Sequence, residues 1–398
     1  MASPLDTLLL QQLAALDAVH RRRRLRPLSW IDGQLRDANG RALIDVSSND
    51  YLGLSQHPLV KARAAEWAER HGAGAPASRL VTGTREITLA VEEKLAAFKR
   101  CEAALLFSSG FQANATVIPA LARLGAKVPG GTQSAGAGDT AIFSDELNHA
   151  SIVHGCRAAR SNAQVFRHND LEHLDHLLRG HAGEPGRKMI LTESVFSMDG
   201  DRADLAGLVR LAERYGAALY VDEAHASGVL GPGGRGLAAE CGGADIVMGT
   251  LGKAFGAFGA YVAGSRALID WLVNSCPGFI YTTALPPAVL GAVDAALDLV
   301  PGMGQERTKL AQNSQRLRDA LALRGYDTLK SSTQIVPAVI GSEADALAAA
   351  RRLEDAGILA VAIRPPTVAA GTSRLRFALG SHLDDETMTR LLAAVAEL

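Results

Sequence analysis

From Ala103 to Asp222 the chain alternates short apolar runs with stretches of helical length. Ala103–Phe107, Ala141–Asp145, Gln164–Phe166, Lys188–Glu193 and Ala218–Val221 have the length and composition of strands. Ala113–Arg123, Asp170–Arg179 and Asp204–Tyr215 carry the helical period, and another helix begins at Asn148-His149-Ala150-Ser151. Parallel strands cannot be joined by a tight turn; they need a crossover, usually a helix. The order therefore predicts an α/β fold, with a mostly parallel sheet and helices on both faces. Ligands of such sheets sit beyond the carboxyl ends of the strands. His149, Ser197, Asp222 and His225 fall there.

After Ala288 the pattern changes. Helical stretches at Pro287–Val300, Gln305–Leu323, Ser342–Ala356 and Asp384–Glu397 flank strands at Gln334–Ile340, Leu359–Ile363 and Arg374–Ala378. The expected division is an N-terminal helix and arm (1–45), a large domain (46–287) and a smaller C-terminal αβ domain (288–398). Ser3 and Pro4 read as the cap and first residue of the N-terminal helix. Thr84 reads as the cap of a helix over Arg85–Arg100. Gly125–Thr140 is low in complexity and reads as a surface loop.

With 398 residues the chain can bury a large core. Its net charge of −1 gives no global basic field for nucleic acid or an anionic membrane. The four cysteines are widely spaced without a CxxC, which suggests neither a zinc site nor a disulfide framework; no metal is expected. No apolar run reaches membrane-spanning length. The basic cluster Arg21–Arg26 follows the N-terminal apolar stretch rather than preceding it, unlike a secretory signal. A cytoplasmic protein is expected.

Lys253 lies in Gly249-Thr250-Leu251-Gly252-Lys253-Ala254-Phe255-Gly256. A lysine in such a glycine-rich apolar run is unusual, and burial makes an amine nucleophilic by lowering its pKa. Upstream, the β-run Ala218-Leu219-Tyr220-Val221 ends in Asp222-Glu223-Ala224-His225. An aromatic aldehyde cofactor needs an amine to bond it, an acid at its ring nitrogen, a flat group over its face, a donor at its phenolic oxygen and N–H groups at its phosphate. Lys253, Asp222, His149, His225, and Gly110-Phe111 with Thr250 fill these places. Gly110 opens a strand-to-helix turn, where N–H groups and the positive helix end meet an anion.

Three other patterns carry less. Gly231–Gly236 matches GxGxxG, but a dinucleotide site needs it between strand and helix, and here it holds a Pro well past the strand end. Asp222–His225 matches a helicase tetrapeptide, yet no GxxxxGK[ST] loop accompanies it. His168, His173 and His176 could suggest a metal, but the last two lie i,i+3 on a charged helix and read as solvated.

Several segments resemble one known group. They are Ser48–Leu54, Ser109-Gly110-Phe111, Asn148–Ser151, Val195–Gly200, Asp222–His225, Thr250–Lys253 and Ile280–Thr283. From about Arg21 to the C-terminus the chain resembles the α-oxoamine synthases, pyridoxal-phosphate (PLP) enzymes of the class II aminotransferase family. The resemblance implies the type I PLP-dependent transferase fold, working as a homodimer with sites at the interface. By it, Lys253 is the Schiff-base lysine and Asp222 the pyridinium partner. His225 and Ser197 bond the phenolic side, and His149 stacks on the ring. Gly110, Phe111 and Thr250 serve cofactor and phosphate, joined by Thr282 or Thr283 from the other subunit. Arg376 takes the amino acid's carboxylate, and Arg23 and Thr367 contact the acyl substrate. Ala362–Val368 and Gly371–Arg376 point within the group to L-alanine and a pimeloyl thioester, carried by coenzyme A or an acyl carrier protein. The siblings joining glycine to acetyl-CoA or succinyl-CoA, or serine to a long acyl-CoA, share the cofactor residues. Two departures stand out: a long Gly125–Thr140 segment, and Ala and Pro in Gly74–Arg79 where relatives are richer in Gly.

Overall fold

A computed structural model describes residues 3–31, 33–124, 140–161, 163–183 and 186–398. Apart from Thr140, the expected loop over 125–140 lies outside them. The chain divides into two compact units, one of Met1–Asn49, Met198–Asp201 and Thr308–Leu398, the other of Asp50–Ser197 and Arg202–Arg307.

The first unit begins with the helix Pro4–Ala18. Ser3 Oγ accepts the Asp6 N–H at 3.0 Å and the Asp6 carboxylate accepts the Ser3 N–H at 3.2 Å. This reciprocal cap satisfies two of the helix start's unpaired donors. Strands β1 (Ser29–Ile31), β2 (Gln34–Arg36) and β3 (Ala42–Asp45) follow as an antiparallel meander.

The second unit holds β4 (Ala103–Phe107), β5 (Ala141–Asp145), β6 (Gln164–Phe166), β7 (Lys188–Glu193), β8 (Ala217–Asp222), β9 (Ile246–Thr250) and β10 (Ala260–Gly264). They form one seven-stranded sheet in the order β4-β10-β9-β8-β7-β5-β6. β6, β5, β7, β8 and β9 pair in parallel, while β10 runs antiparallel to both neighbours. β9 and β10 were not foreseen, because glycines at 249 and 264 interrupt their apolar runs. Their placement matters: the connection between them carries Lys253. The helices Gly110–Ala122 and Arg266–Ser275 contribute Val117, Ile118, Ile269 and Leu272 to a core shared with β4, β9 and β10.

The helix expected from Arg85 runs over Glu86–Lys99, with Arg85 at the cap position. Thr84 does not cap it. Its hydroxyl accepts from Arg79 Nε at 3.0 Å and donates to the Arg79 carbonyl at 2.7 Å. Arg79 in turn makes a two-pronged ion pair with Glu92, 2.7 and 2.9 Å, where both residues are buried.

The remaining strands belong to the first unit: β11 (Ile335–Gly341), β12 (Ile358–Leu359), β13 (Val361–Ile363) and β14 (Ser373–Ala378). The single strand expected over Leu359–Ile363 is two strands in different sheets. β12 pairs in parallel with β3, Ile358 beside Ile44, whereas β13 joins the antiparallel sheet β11-β14-β13. No single helix among the described residues is long and apolar enough to cross a membrane.

Candidate active site

In the second unit β7 and β8 end level, with Glu193 beside Asp222. Asp222 is buried. Its Oδ2 accepts from Asn114 Nδ2 and its Oδ1 from the Ala224 N–H, both at 2.8 Å. Asn114 projects from the helix Gly110–Ala122, takes the Tyr220 hydroxyl on its Oδ1 at 2.7 Å and donates also to Ser151 Oγ at 2.9 Å. The acid is thus aimed by a helix on one side and by its own turn on the other.

Ser151 leads to His149, the cap of the helix Ala150–Ala158. His149 Nδ1 lies 2.7 Å from Ser151 Oγ and accepts the Ser151 N–H at 3.2 Å. Its own N–H donates to Glu193 Oε1 at 2.6 Å. The residue keeps an exposed surface. Its partial burial lowers the imidazole pKa, Asp222 pulls it upward and Lys253 downward. Glu193, fully enclosed, has its carboxyl pushed well above the ordinary range by burial first and then by Asp222.

The loop between β9 and β10 is closed by Leu251 N–H to Gly259 O and Ala257 N–H to Leu251 O, each 2.9 Å. Gly256 turns it with φ of +60°, where a side chain would run into the backbone of Leu54 and Ser55. Lys253, half-buried, sets its Nζ 2.8 Å from His225 Nε2. The Tyr51 hydroxyl lies 2.6 Å from the other nitrogen of His225, and both of these residues are buried. Phenol, imidazole and amine therefore stand in line, with the amine at the accessible end.

Beyond β4, Ser109 caps the helix Gly110–Ala122, its Oγ accepting from the Gln112 N–H at 3.2 Å. A Cβ on Gly110 would come within 2.6 Å of Thr250 Cγ2, so Gly110 and Thr250 touch where β9 ends. Phe111, beside them, is half exposed and lies against His154. Gln112 Nε2 donates to Thr282 Oγ1 at 2.5 Å, and Thr283 forms a bridge with Ser78. Ser197 is half-buried one residue past Phe196.

In the first unit Arg376, buried on β14, bonds Asn49 Oδ1 through both terminal nitrogens, at 3.3 and 3.2 Å. Arg23 reaches Thr367 Oγ1 at 3.3 Å and the Pro365 carbonyl at 3.5 Å. Of the neighbouring arginines, Arg21 is engaged by Glu343, Arg22 and Arg24 by Asp17, and Arg26 by Glu354. Arg23 is the one turned to Thr367.

The residues anticipated from sequence thus gather as two sets: Lys253, His225, Asp222 and His149 with Gly110 and Thr250 in one unit, Arg23 with Thr367 and Arg376 with Asn49 in the other. Tyr51, Asn114 and Glu193 were not anticipated. Asn114 had a signal, since asparagine is a poor helix former placed inside a helix. Glu193 had one in its position at a strand end. Of the other patterns, the Gly231–Gly236 loop wraps the Lys99–Glu223 ion pair (2.5 Å), Lys99 also bonding the Arg235 carbonyl and Glu223 the Ala238 N–H. His168 is bonded to Asp145 at 2.8 Å.

A lysine amine, an imidazole and a buried carboxylate thus stand near the carboxyl ends of the sheet's parallel strands. The chain belongs to the class I and II aminotransferase family, whose pattern matches residues 41–395. It is 56% identical over 390 residues to the 8-amino-7-oxononanoate synthase of Gluconacetobacter diazotrophicus, covering 96% of this chain and 95% of that one. An SPT solved with PLP superposes with a TM-score of 0.88 at 28% identity, covering 98% of this chain and 96% of that one. The 8-amino-7-oxononanoate synthase from Francisella tularensis superposes with a TM-score of 0.73 at 28% identity, covering 89% and 97%.

Proposed function

We propose that the protein condenses L-alanine with a pimeloyl thioester, releasing CO2 and the thiol carrier and giving 8-amino-7-oxononanoate for biotin synthesis, with PLP as its cofactor. The observation that carries this reading is the convergence of Lys253, His225, Asp222 and His149 at the ends of β8 and β9.

These residues fit PLP. Gly110 has no room for a side chain beside Thr250, and it opens a helix whose N–H groups suit a phosphate. Asp222 would pair the ring nitrogen, His149 cover the ring, and His225 with Ser197 bond its phenolic side. Lys253 would bond its aldehyde carbon. Phe111 would line the pocket, and Thr282 or Thr283 would reach the phosphate in the partner subunit's site. Bound PLP supplies an electron sink that makes alanine's Cα–H acidic enough to lose. Gly110→Ala is expected to weaken PLP binding about tenfold or more, since Thr250 must shift to admit the methyl; fluorescence titration with PLP checks this.

The chain's own groups do the rest. Arg376 receives alanine's carboxylate, for which a guanidinium offers a two-pronged fork. Asn49 already holds that guanidinium in place. Lys253 takes the Cα proton and returns one at the end, and His225, 2.8 Å away, holds its amine in position. Arg23 and Thr367 contact the acyl substrate. The carrier is coenzyme A or an acyl carrier protein, and the protein is a cytoplasmic homodimer.

Thiol release tests the substrates. Alanine with pimeloyl thioester is expected to exceed glycine with acetyl-CoA or succinyl-CoA, and serine with palmitoyl-CoA, by at least about tenfold in kcat/KM. A faster reaction with any sibling pair overturns the substrate assignment and leaves the cofactor assignment standing.

A further inference from the structure

Glu193 is a buried titratable group of the site that the reaction scheme leaves unused. It closes β7 with 2% of its surface exposed and lies in register beside Asp222. We propose that Glu193 is a positioning residue of the cofactor site, holding the His149 main chain, and through it the His149 ring, as a neutral carboxylic acid. Naming what that ring covers rests on the PLP reading; the hydrogen bond to His149 does not.

The geometry sets two carboxyl groups side by side at the ends of neighbouring strands. Like charges so placed disfavour one another, and burial disfavours both. Asp222 receives two N–H groups, from Asn114 and Ala224. Glu193 receives the His149 N–H on Oε1. A neutral carboxyl still accepts at its carbonyl oxygen, so holding His149 does not require the charge. The bond also closes a circuit: Glu193 to His149, His149 to Ser151, Ser151 to Asn114, Asn114 to Asp222. The two groups that would face the cofactor, the His149 ring and the Asp222 carboxylate, are thereby fixed against one another.

The charged groups facing Glu193 are Asp222 on β8, Lys253 on the β9–β10 loop and Asp145 at the end of β5, with His149 at the helix cap. Burial raises its pKa most, Asp222 and Asp145 add to the rise, and Lys253 and the His149 N–H oppose it. An acid whose folded pKa lies above its ordinary 4.5 binds more protons folded than unfolded. Stability is then lost as pH rises from that ordinary value through the folded one. Glutamine, of the same shape and uncharged, has no such loss.

The test compares wild type, Glu193→Gln and Glu193→Ala. Thermal midpoints of the PLP-free proteins are measured from about pH 5 to about pH 9. Wild type is expected to lose a few degrees relative to Glu193→Gln over that range. PLP titration is expected to give Glu193→Gln a Kd within about threefold of wild type and Glu193→Ala one about tenfold weaker. In a His149→Ala background the Glu193→Ala step is expected to change Kd by less than about twofold, as for residues acting as a unit. Parallel midpoints for wild type and Glu193→Gln overturn the proposal; so does a Gln variant as impaired as the Ala variant. If Glu193→Ala does not fold, the Gln variant decides alone. A wild type that takes up no PLP overturns the cofactor reading, and the midpoints still judge Glu193.

Discussion

Lys253→Ala is expected to abolish both the visible absorbance of the PLP-loaded protein and thiol release from a pimeloyl thioester. The variant loses two functions with one atom. In the proposed scheme Nζ would both bond the cofactor aldehyde and take alanine's proton. The proton-transfer role alone is worth about 10²–10⁴-fold in rate. Losing the covalent hold adds to this, so turnover is expected to fall by at least about 10³-fold. Folding is expected to be spared, because Lys253 is half-buried and its loop is closed by backbone bonds at Leu251 and Ala257. Single-turnover assays and spectra of protein incubated with PLP check the claim. A variant with unchanged melting but turnover within tenfold of wild type would sink the assignment of Lys253.

The second large effect is expected at Asp222. Asp222→Asn keeps the shape of the side chain but removes the anion that would pair the pyridinium. It also sets an amide against Asn114 Nδ2 and the Ala224 N–H, which now meet its carboxylate at 2.8 Å each. Breaking a buried charged pair by neutralising one partner costs about 3–5 kcal/mol, which corresponds to about 10²–10⁴-fold in rate. The expected signature is a fall in kcat much larger than any rise in the KM for alanine. A variant that raises KM alone would mean that Asp222 serves binding rather than the cofactor's electronics.

Much of this was legible in the sequence, for definite reasons. The βα alternation specifies parallel pairing, and parallel pairing sends ligands to the strand ends where Asp222 and His149 lie. Capping chemistry is local, so Ser3 and Pro4 marked the first helix correctly. Thr84 did not behave as a cap because Arg79, engaged with Glu92, occupies its hydroxyl. That partner, thirteen residues from Arg79, has no local signature. β9 and β10 were missed because glycine weakens a strand's apolar signal. Tyr51 comes to the site by packing, and the signals of Asn114 and Glu193 do not name the partners that register and packing give them. The spacing between Glu193 and Asp222 in sequence says nothing of their standing side by side, which follows from β7 and β8 ending level.

The first unit is assembled from chain segments far apart: residues up to Asn49, the short piece Met198–Asp201, and everything from Thr308 onward. During synthesis β3 therefore emerges long before β12, its parallel partner at Ile358 and Leu359. At about 5–20 residues per second, that interval lasts roughly fifteen seconds to a minute. Throughout it β3 has only the meander beside it and one edge unpaired, a hazard for wrong pairing. By Arg307, in contrast, every residue of the second unit has been made, Lys253 and Asp222 included. A nascent chain thus carries Lys253 and Asp222 before it carries Arg376. On the proposed reading, the groups assigned to the cofactor are made before the group assigned to the amino acid's carboxylate.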